Sequence, residues 1–319
     1  MRIERQTTIG ERVRLSGIGV HSGAPANIDL IPAAAGTGIC FVRSDMDPTS
    51  LIEARFDNVV ATELCTVISD AAGRSVATVE HLMAALAASG VDNAIVEIDG
   101  PEMPIMDGSS RPFLDAVEQV GVVHLSSPRR YLRVRKPVRV EQGRGWAELR
   151  PFDAGFRVEV TIDFDTPLIG RQTCAMDVSA DTFRREVACA RTFGFMRDVE
   201  QLWKAGYARG ASLENTVAIG DDRVVNPEGL RYPDEFSRHK ALDAIGDLAL
   251  AGLPILGAFR SYCGGHRLNV AMLQAVYSDS AAFEIVEADV ATRPSRRPMA
   301  ARADIGGFAP VPAYAPESR

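Results

Sequence analysis

Nine consecutive residues, His239-Lys240-Ala241-Leu242-Asp243-Ala244-Ile245-Gly246-Asp247, hold the densest set of chemically useful side chains in the chain. On a helix, His239 and Asp243 stand four apart and share one face, and Asp247 continues the stripe one turn on. An imidazole and a carboxylate so spaced can hold one metal ion, and they are two of the three protein ligands a catalytic zinc usually has. The same spacing also occurs in plain helix-surface pairs, so the reading needs a third ligand from elsewhere.

Five histidines are available, at positions 21, 81, 124, 239 and 266. His81 is the candidate, because it falls in the first turn of a helix predicted over 79–89, where the positive end of the helix dipole disfavours imidazolium. A neutral imidazole is what a metal requires. Its neighbour Glu80 points about 100° away around the helix. Glu80 therefore cannot comfortably share the metal, but it can reach a water bound there, as a general base would. His266 follows Gly264-Gly265 at the apparent start of another helix. It can act as an acid or as a cationic stabiliser of oxyanion charge. A cationic imidazole at a helix start needs a carboxylate partner, for which Asp247 is the candidate. Taken singly, each of these residues also fits a structural or surface role.

The elements that position these groups follow a repeated order. In the first half, segments at 12–18 and 26–30 read as an antiparallel hairpin. The helix at 79–89 stops at Gly90. A strand at 93–98, a Gly/Pro-rich loop ending in Met106-Asp107-Gly108, and a helix at 111–119 follow. The stretch 125–130 reads as a linker. Beyond it, residues 156–164 alternate apolar and polar as a half-buried strand does. A helix spans 234–250, followed by a strand at 255–262, the Gly264-Gly265 loop and a helix at 266–276. Both halves run strands, helix, strand, Gly-containing loop, helix. That order predicts two similar α+β domains, 1–126 carrying Glu80 and His81, and 127–300 carrying His239, Asp243 and His266. The segment at about 171–222 has no counterpart of equal length and reads as an insert, and 301–319 reads as a flexible Pro/Ala-rich tail.

The bulk numbers narrow the class. The 319 residues carry a net charge of −7, which is not the basic footprint of a nucleic-acid binder. The polar start lacks a signal peptide and no apolar run approaches the length of a membrane span, so a cytoplasmic location is expected. The five cysteines (Cys40, Cys65, Cys174, Cys189, Cys263) form no C-x-x-C pair, which excludes a zinc ribbon. Each is expected to be buried and inert, with Cys65 and Cys263 close in sequence to the candidate site.

Glu80-His81, Met106-Asp107-Gly108, Arg191-Thr192-Phe193-Gly194-Phe195, the His239–Asp247 run and Gly265-His266 occur here in one order, after an opening Gly17-Ile18-Gly19-Val20-His21-Ser22-Gly23. This spaced set resembles the UDP-3-O-acyl-N-acetylglucosamine deacetylases, the zinc amidases of lipid A synthesis in Gram-negative bacteria, from about residue 5 to 276. The resemblance implies two similar domains, each a mainly antiparallel sheet with two helices, the helices packed between the two sheets, and an insert in each domain. It implies Zn²⁺ bound by His81, His239 and Asp243, with Glu80 as general base. Thr192 would stabilise the oxyanion, and His266, held by Asp247, would stabilise charge and protonate the leaving amine. Lys240 would contact the polar part of a UDP-linked acylated amino sugar. Phe193, Val199, Ala211, Ser212 and Ala218 would line an acyl-chain passage. The products would be acetate and the free amino sugar, and a monomer is expected. The chain departs from the family in carrying Cys263 where a lysine is common, so Arg260 or Arg267 would have to replace a diphosphate contact. The rival readings are another zinc amidohydrolase acting on a different acetamide, and a non-enzymatic binding module.

Overall fold

The computed structural model describes residues 5–288. The tail expected at 301–319, and the last residues of the expected second domain, lie outside them. The described chain is mixed α+β, with six α-helices: α1 (Glu80–Ala88), α2 (Arg111–Val120), α3 (Ala180–Glu186), α4 (Val199–Lys204), α5 (Glu235–Ala249) and α6 (His266–Tyr277).

Residues before 100 build a five-stranded sheet in the spatial order Val13–Ile18, Pro25–Pro32, Ala94–Ile98, Ile39–Arg43, Ile52–Glu53. Its first pair is the antiparallel hairpin expected from sequence, with Val13 opposite Leu30. The pair Ile39–Arg43 and Ala94–Ile98 is parallel. A separate three-stranded sheet (Val59–Ala61, Val67–Ser69, Ser75–Ala77) precedes α1.

Residues after 129 build a seven-stranded sheet around the strand Ile255–Tyr262. That strand pairs antiparallel with Gly145–Arg150 on one side. On the other it pairs parallel with Phe156–Asp163 and, at its start, with Arg130–Val134. One expectation is corrected here. The stretch read as a linker is a strand, Val122–Pro128, paired antiparallel with Arg5–Ile9, and Arg130 already begins the next strand. Its Ser and Pro residues lie in an edge ribbon rather than a free connection. The segment Arg171–Asp177, assigned to the insert, is a strand of this sheet, in register with Phe156–Asp163. Its alternation of exposed and buried residues, with Cys174 and Met176 turned inward, is the pattern of a sheet edge rather than of a loop.

α1 packs against α2 and α5, and α5 packs against α6 and the strand Phe156–Asp163. α2 is amphipathic, burying Phe113, Leu114, Ala116 and Val117 and ending at Gly121 with φ 71°. α1 and α5 are instead buried nearly all round, which is why small residues recur in them. At their crossing, a Cβ on Gly246 would lie 2.0 Å from the Glu80 carbonyl oxygen, so only glycine allows the two backbones this close. This contact brings the first turn of α1 to the middle of α5, and with it Glu80 and His81 to the stripe of His239, Asp243 and Asp247.

Candidate active site

His81, His239 and Asp243 come together, with one ligand atom from each within 4.8 Å of the others. Asp243 Oδ1 lies 3.4 Å from His239 Nε2 and 3.6 Å from His81 Nε2. All three side chains are buried, and Asp243 Oδ1 has no hydrogen-bond partner. A buried carboxylate oxygen without a donor is costly unless a cation completes it. The donor set of two imidazoles and one carboxylate is one that zinc takes. His239 is already in ligand form: burial holds its pKa down to about 3, and its Nδ1 pairs with the Ala190 carbonyl at 3.0 Å, leaving Nε2 for the metal. Burial would raise the Asp243 carboxyl, but His239 and Lys240 pull it well below the usual carboxylate range. The residues present therefore fit a zinc ion.

Glu80 and His266 flank this cluster, with Glu80 Oε1 3.7 Å from His266 Nε2. Burial raises the Glu80 carboxyl above its ordinary value, against the pull of His266 and His81. Burial would lower the His266 imidazole, but Asp247 and Glu80 outweigh it and raise its pKa to about 9. The partner expected from spacing is in place, with His266 Nδ1 2.8 Å from Asp247 Oδ2. A base with a raised pKa beside a cationic imidazole is an arrangement for moving protons at neutral pH.

The start of α1 is held by a strained residue. Thr78 has φ 60°, uncommon for a β-branched side chain, and its hydroxyl donates to Glu102 Oε1 at 3.1 Å. Glu102 also accepts from the main-chain N–H groups of His21 and Ser22, at 2.8 and 2.7 Å. It thereby ties the glycine-rich opening loop to the helix, and a Cβ on Gly19 would strike its carboxylate.

Thr192 is pinned through its main chain, donating to the Gly108 carbonyl and accepting from Val217 N–H, each at 2.8 Å. The residue before it, Arg191, is buried and bonded to the fully buried Glu235 (2.9 Å) and to Glu228 (2.6 Å). This ion pair holds the short segment 190–192, which supplies both the carbonyl on His239 and the candidate oxyanion donor. Phe193 stacks edge-on against Phe236 at 4.9 Å and faces His239 at 6.3 Å. Lys240 donates to Asp243 Oδ2 at 2.8 Å and sits 5.5 Å from the Phe193 ring centre. The other candidate passage residues lie on one strand–helix–strand unit, where Phe193–Phe195 and Val217–Ile219 pair in parallel and α4 lies between them in sequence. Val199 begins α4, Ala218 is buried in the second strand, and Ala211 and Ser212 sit exposed in the connecting loop.

Several contributing residues escape sequence reasoning. Thr66 and Asn269 both donate to Asp247, at 2.6 and 2.9 Å. Asn269 stands three after His266 on α6, a spacing that could have marked it. No local signal marks Thr66, which is 181 positions from its partner. Arg191, Glu235 and Glu102 were likewise unmarked as site supports. The cysteine expectation holds for Cys40, Cys65 and Cys174, whose thiols burial raises to about 11, about 12 and about 11, but Cys189 and Cys263 are only half-buried. Of the two cations suggested to stand in near Cys263, Arg260 is paired with Glu159 at 2.7 Å, whereas Arg267 lines a groove of about 420 Å³ between residues 59–62 and 140–142.

Among the described residues, no helix is long and apolar enough to cross a membrane. The family model described as UDP-3-O-acyl N-acetylglycosamine deacetylase matches residues 6–278. The UDP-3-O-acyl-N-acetylglucosamine deacetylase of Brucella ovis is 57% identical over 284 residues, which is 89% of this chain and 99% of that protein. The enzymes of the same name from Brucella abortus and Brucella melitensis match equally, at 57% over the same shares. With a match that takes in the three histidine-bearing helices and nearly the full length of these relatives, the chain belongs to the UDP-3-O-acyl-N-acetylglycosamine deacetylase family.

Proposed function

We propose that the chain hydrolyses the N-acetyl amide of a UDP-linked 3-O-acyl-N-acetylglucosamine, releasing acetate and the 3-O-acyl-glucosamine nucleotide as a step of lipid A synthesis. The observation that carries the residue-level reading is the partnerless, buried Asp243 Oδ1 facing two imidazole nitrogens, one from each of two helices, beside Glu80 and His266. His81, His239 and Asp243 hold the zinc, which when bound supplies a Lewis acid and lowers the pKa of a coordinated water to about 7.

The chain's own groups then divide the proton work. Glu80, its affinity for a proton raised by burial, takes one from the attacking water through Oε1. The Thr192 hydroxyl donates to the oxygen on which negative charge develops. His266, cationic at neutral pH, steadies that charge and gives the Nε2 proton to the departing amine nitrogen, while Asp247 holds Nδ1. Lys240 is fixed by Asp243 on one side and lies over Phe193 on the other, a place from which it meets the polar part of the sugar nucleotide. The acyl chain runs along Phe193, Val199, Ala211, Ser212 and Ala218. The described residues up to 126 and from 127 onward form two similar α+β halves; the five- and seven-stranded sheets, drawn from opposite sides of this division, support that reading. The five free thiols suit a cytoplasmic setting.

Acetate release from the acylated UDP-sugar, compared with a simple N-acetyl sugar, tests the substrate. Equal turnover of the two would favour a general zinc amidohydrolase instead. A protein purified without zinc, and indifferent to loss of His81, would overturn the metal site.

A further inference from the structure

Thr66 joins His266 itself in having atoms that reach both the general base, Glu80, and the orienter of the acid, Asp247. It is fully buried at the start of the strand Val67–Ser69, and its carbonyl accepts from Val79 N–H at the head of α1 (3.4 Å). Its main-chain N–H donates to Glu80 Oε2 at 3.1 Å. Its hydroxyl donates to Asp247 Oδ1 at 2.6 Å. Glu80 comes from α1 and Asp247 from α5, so these two bonds join groups that no single element holds in register.

We propose that Thr66 is a positioning residue that sets Glu80 and the Asp247–His266 pair against one another; this rests on the proton-transfer roles assigned above. A carboxylate has two oxygens, and occupying one fixes what the other faces. With Oε2 taken by Thr66, Glu80 presents Oε1 towards His266 Nε2, at 3.7 Å. With Oδ1 taken by the Thr66 hydroxyl, Asp247 presents Oδ2 to His266 Nδ1 (2.8 Å) and Asn269 Nδ2 (2.9 Å). A β-branched side chain is stiff about χ1, so the hydroxyl keeps its aim. Loss of the hydroxyl strands a buried carboxylate oxygen and frees Asp247 to rotate, and the imidazole turns with it. Such errors of about 1 Å in a reacting group cost turnover rather than substrate affinity.

The test uses the full-length zinc enzyme and the acylated UDP-sugar. Thr66→Val, nearly the same shape without the hydroxyl, is expected to lower kcat by about 10- to 100-fold, with KM and zinc content unchanged. Thr66→Ser, which keeps the donor, is expected to restore most of the turnover. Thr66→Ala, with room for a water, replaces the valine variant if that one does not fold. Normal kcat in the hydroxyl-free variants would overturn the inference, as would a loss that tracks zinc content or KM. Glu80→Gln and His266→Gln run alongside. If they too are active, the assigned roles fail; if they are inactive while Thr66→Val is active, the positioning role alone fails.

Discussion

Replacing Asp247 by asparagine removes the charge that keeps His266 cationic, while leaving the shape and a hydrogen-bonding oxygen in place. Asp247 is the largest influence raising the His266 pKa against burial, and the net result is a rise from 6.5 to about 9. That rise corresponds to about 3 kcal/mol of preference for the imidazolium. Without Asp247, burial is opposed chiefly by Glu80 and Asp243, and the value falls. At pH 8 a group with pKa about 9 is about 90% protonated, and one at 6.5 only about 3%. The protonated acid, and kcat with it, should therefore fall by up to about 30-fold at pH 8, the limit reached if the imidazole returns to its ordinary value. The deficit should shrink as the pH is lowered towards 6, because the acid refills in the variant. Zinc adds positive charge and moves both alkaline limbs downward, so the separation between the two proteins is the quantity to read. The measurement is kcat from pH 5.5 to 9.5 at saturating substrate, normalised to zinc. An alkaline limb at the same pH in both proteins would refute the assignment of His266 as the acid. The same linkage acts on stability. Because the folded pKa lies above the unfolded one, the contribution is complete below about pH 6.5 and is lost as pH rises through about 9. The extra stability of the parent protein should therefore be greatest in mild acid and vanish in base.

Glu80→Ala should lower kcat by about 10²- to 10⁴-fold yet retain zinc, because Glu80 is proposed as the base and not as a ligand, whereas Asp243→Ala should lose the metal; metal analysis of the two variants separates the roles. Gly246→Ala forces a methyl to within 2.0 Å of the Glu80 carbonyl oxygen, so α1 must move off α5. A stability loss of at least about 1–3 kcal/mol in denaturant titration, together with reduced turnover, is expected there. Arg191→Ala leaves Glu235 buried without its cation, which should cost about 3–5 kcal/mol and loosen the segment carrying Ala190 and Thr192. A melting temperature equal to that of the parent would contradict the importance of that ion pair.

Much of the site was legible because helices convert sequence spacing into geometry. The His239/Asp243/Asp247 stripe follows from the 3.6-residue turn, and the structure places it on α5 as expected. The need of a histidine at a helix start for a carboxylate led to the Asp247–His266 pair in the same way. The alternation over 156–164 located the strand that supports α5. The reading that fails is the one where composition stood in for pairing. Ser and Pro near 125–130 suggested a free linker, but the backbone there pairs with Arg5–Ile9. The stretch read as an insert begins with a strand, Arg171–Asp177, whose pairing with Phe156–Asp163 no local signal marks.

The sequence by itself determined the types of the candidate ligands, the two helices that carry them and the local order within each, because periodicity acts over one or two turns. Only the tertiary structure decided that His81 meets His239, that the Ala190 carbonyl fixes the tautomer of His239, and that Thr66 bonds both Glu80 and Asp247. Those contacts join residues 158, 49 and up to 181 positions apart. The contacts between α1 and α5 exist because Gly246 lets two buried helices cross at backbone distance, the Ala190 contact is held by the Arg191–Glu235 pair, and packing of either kind leaves no periodic trace in the chain.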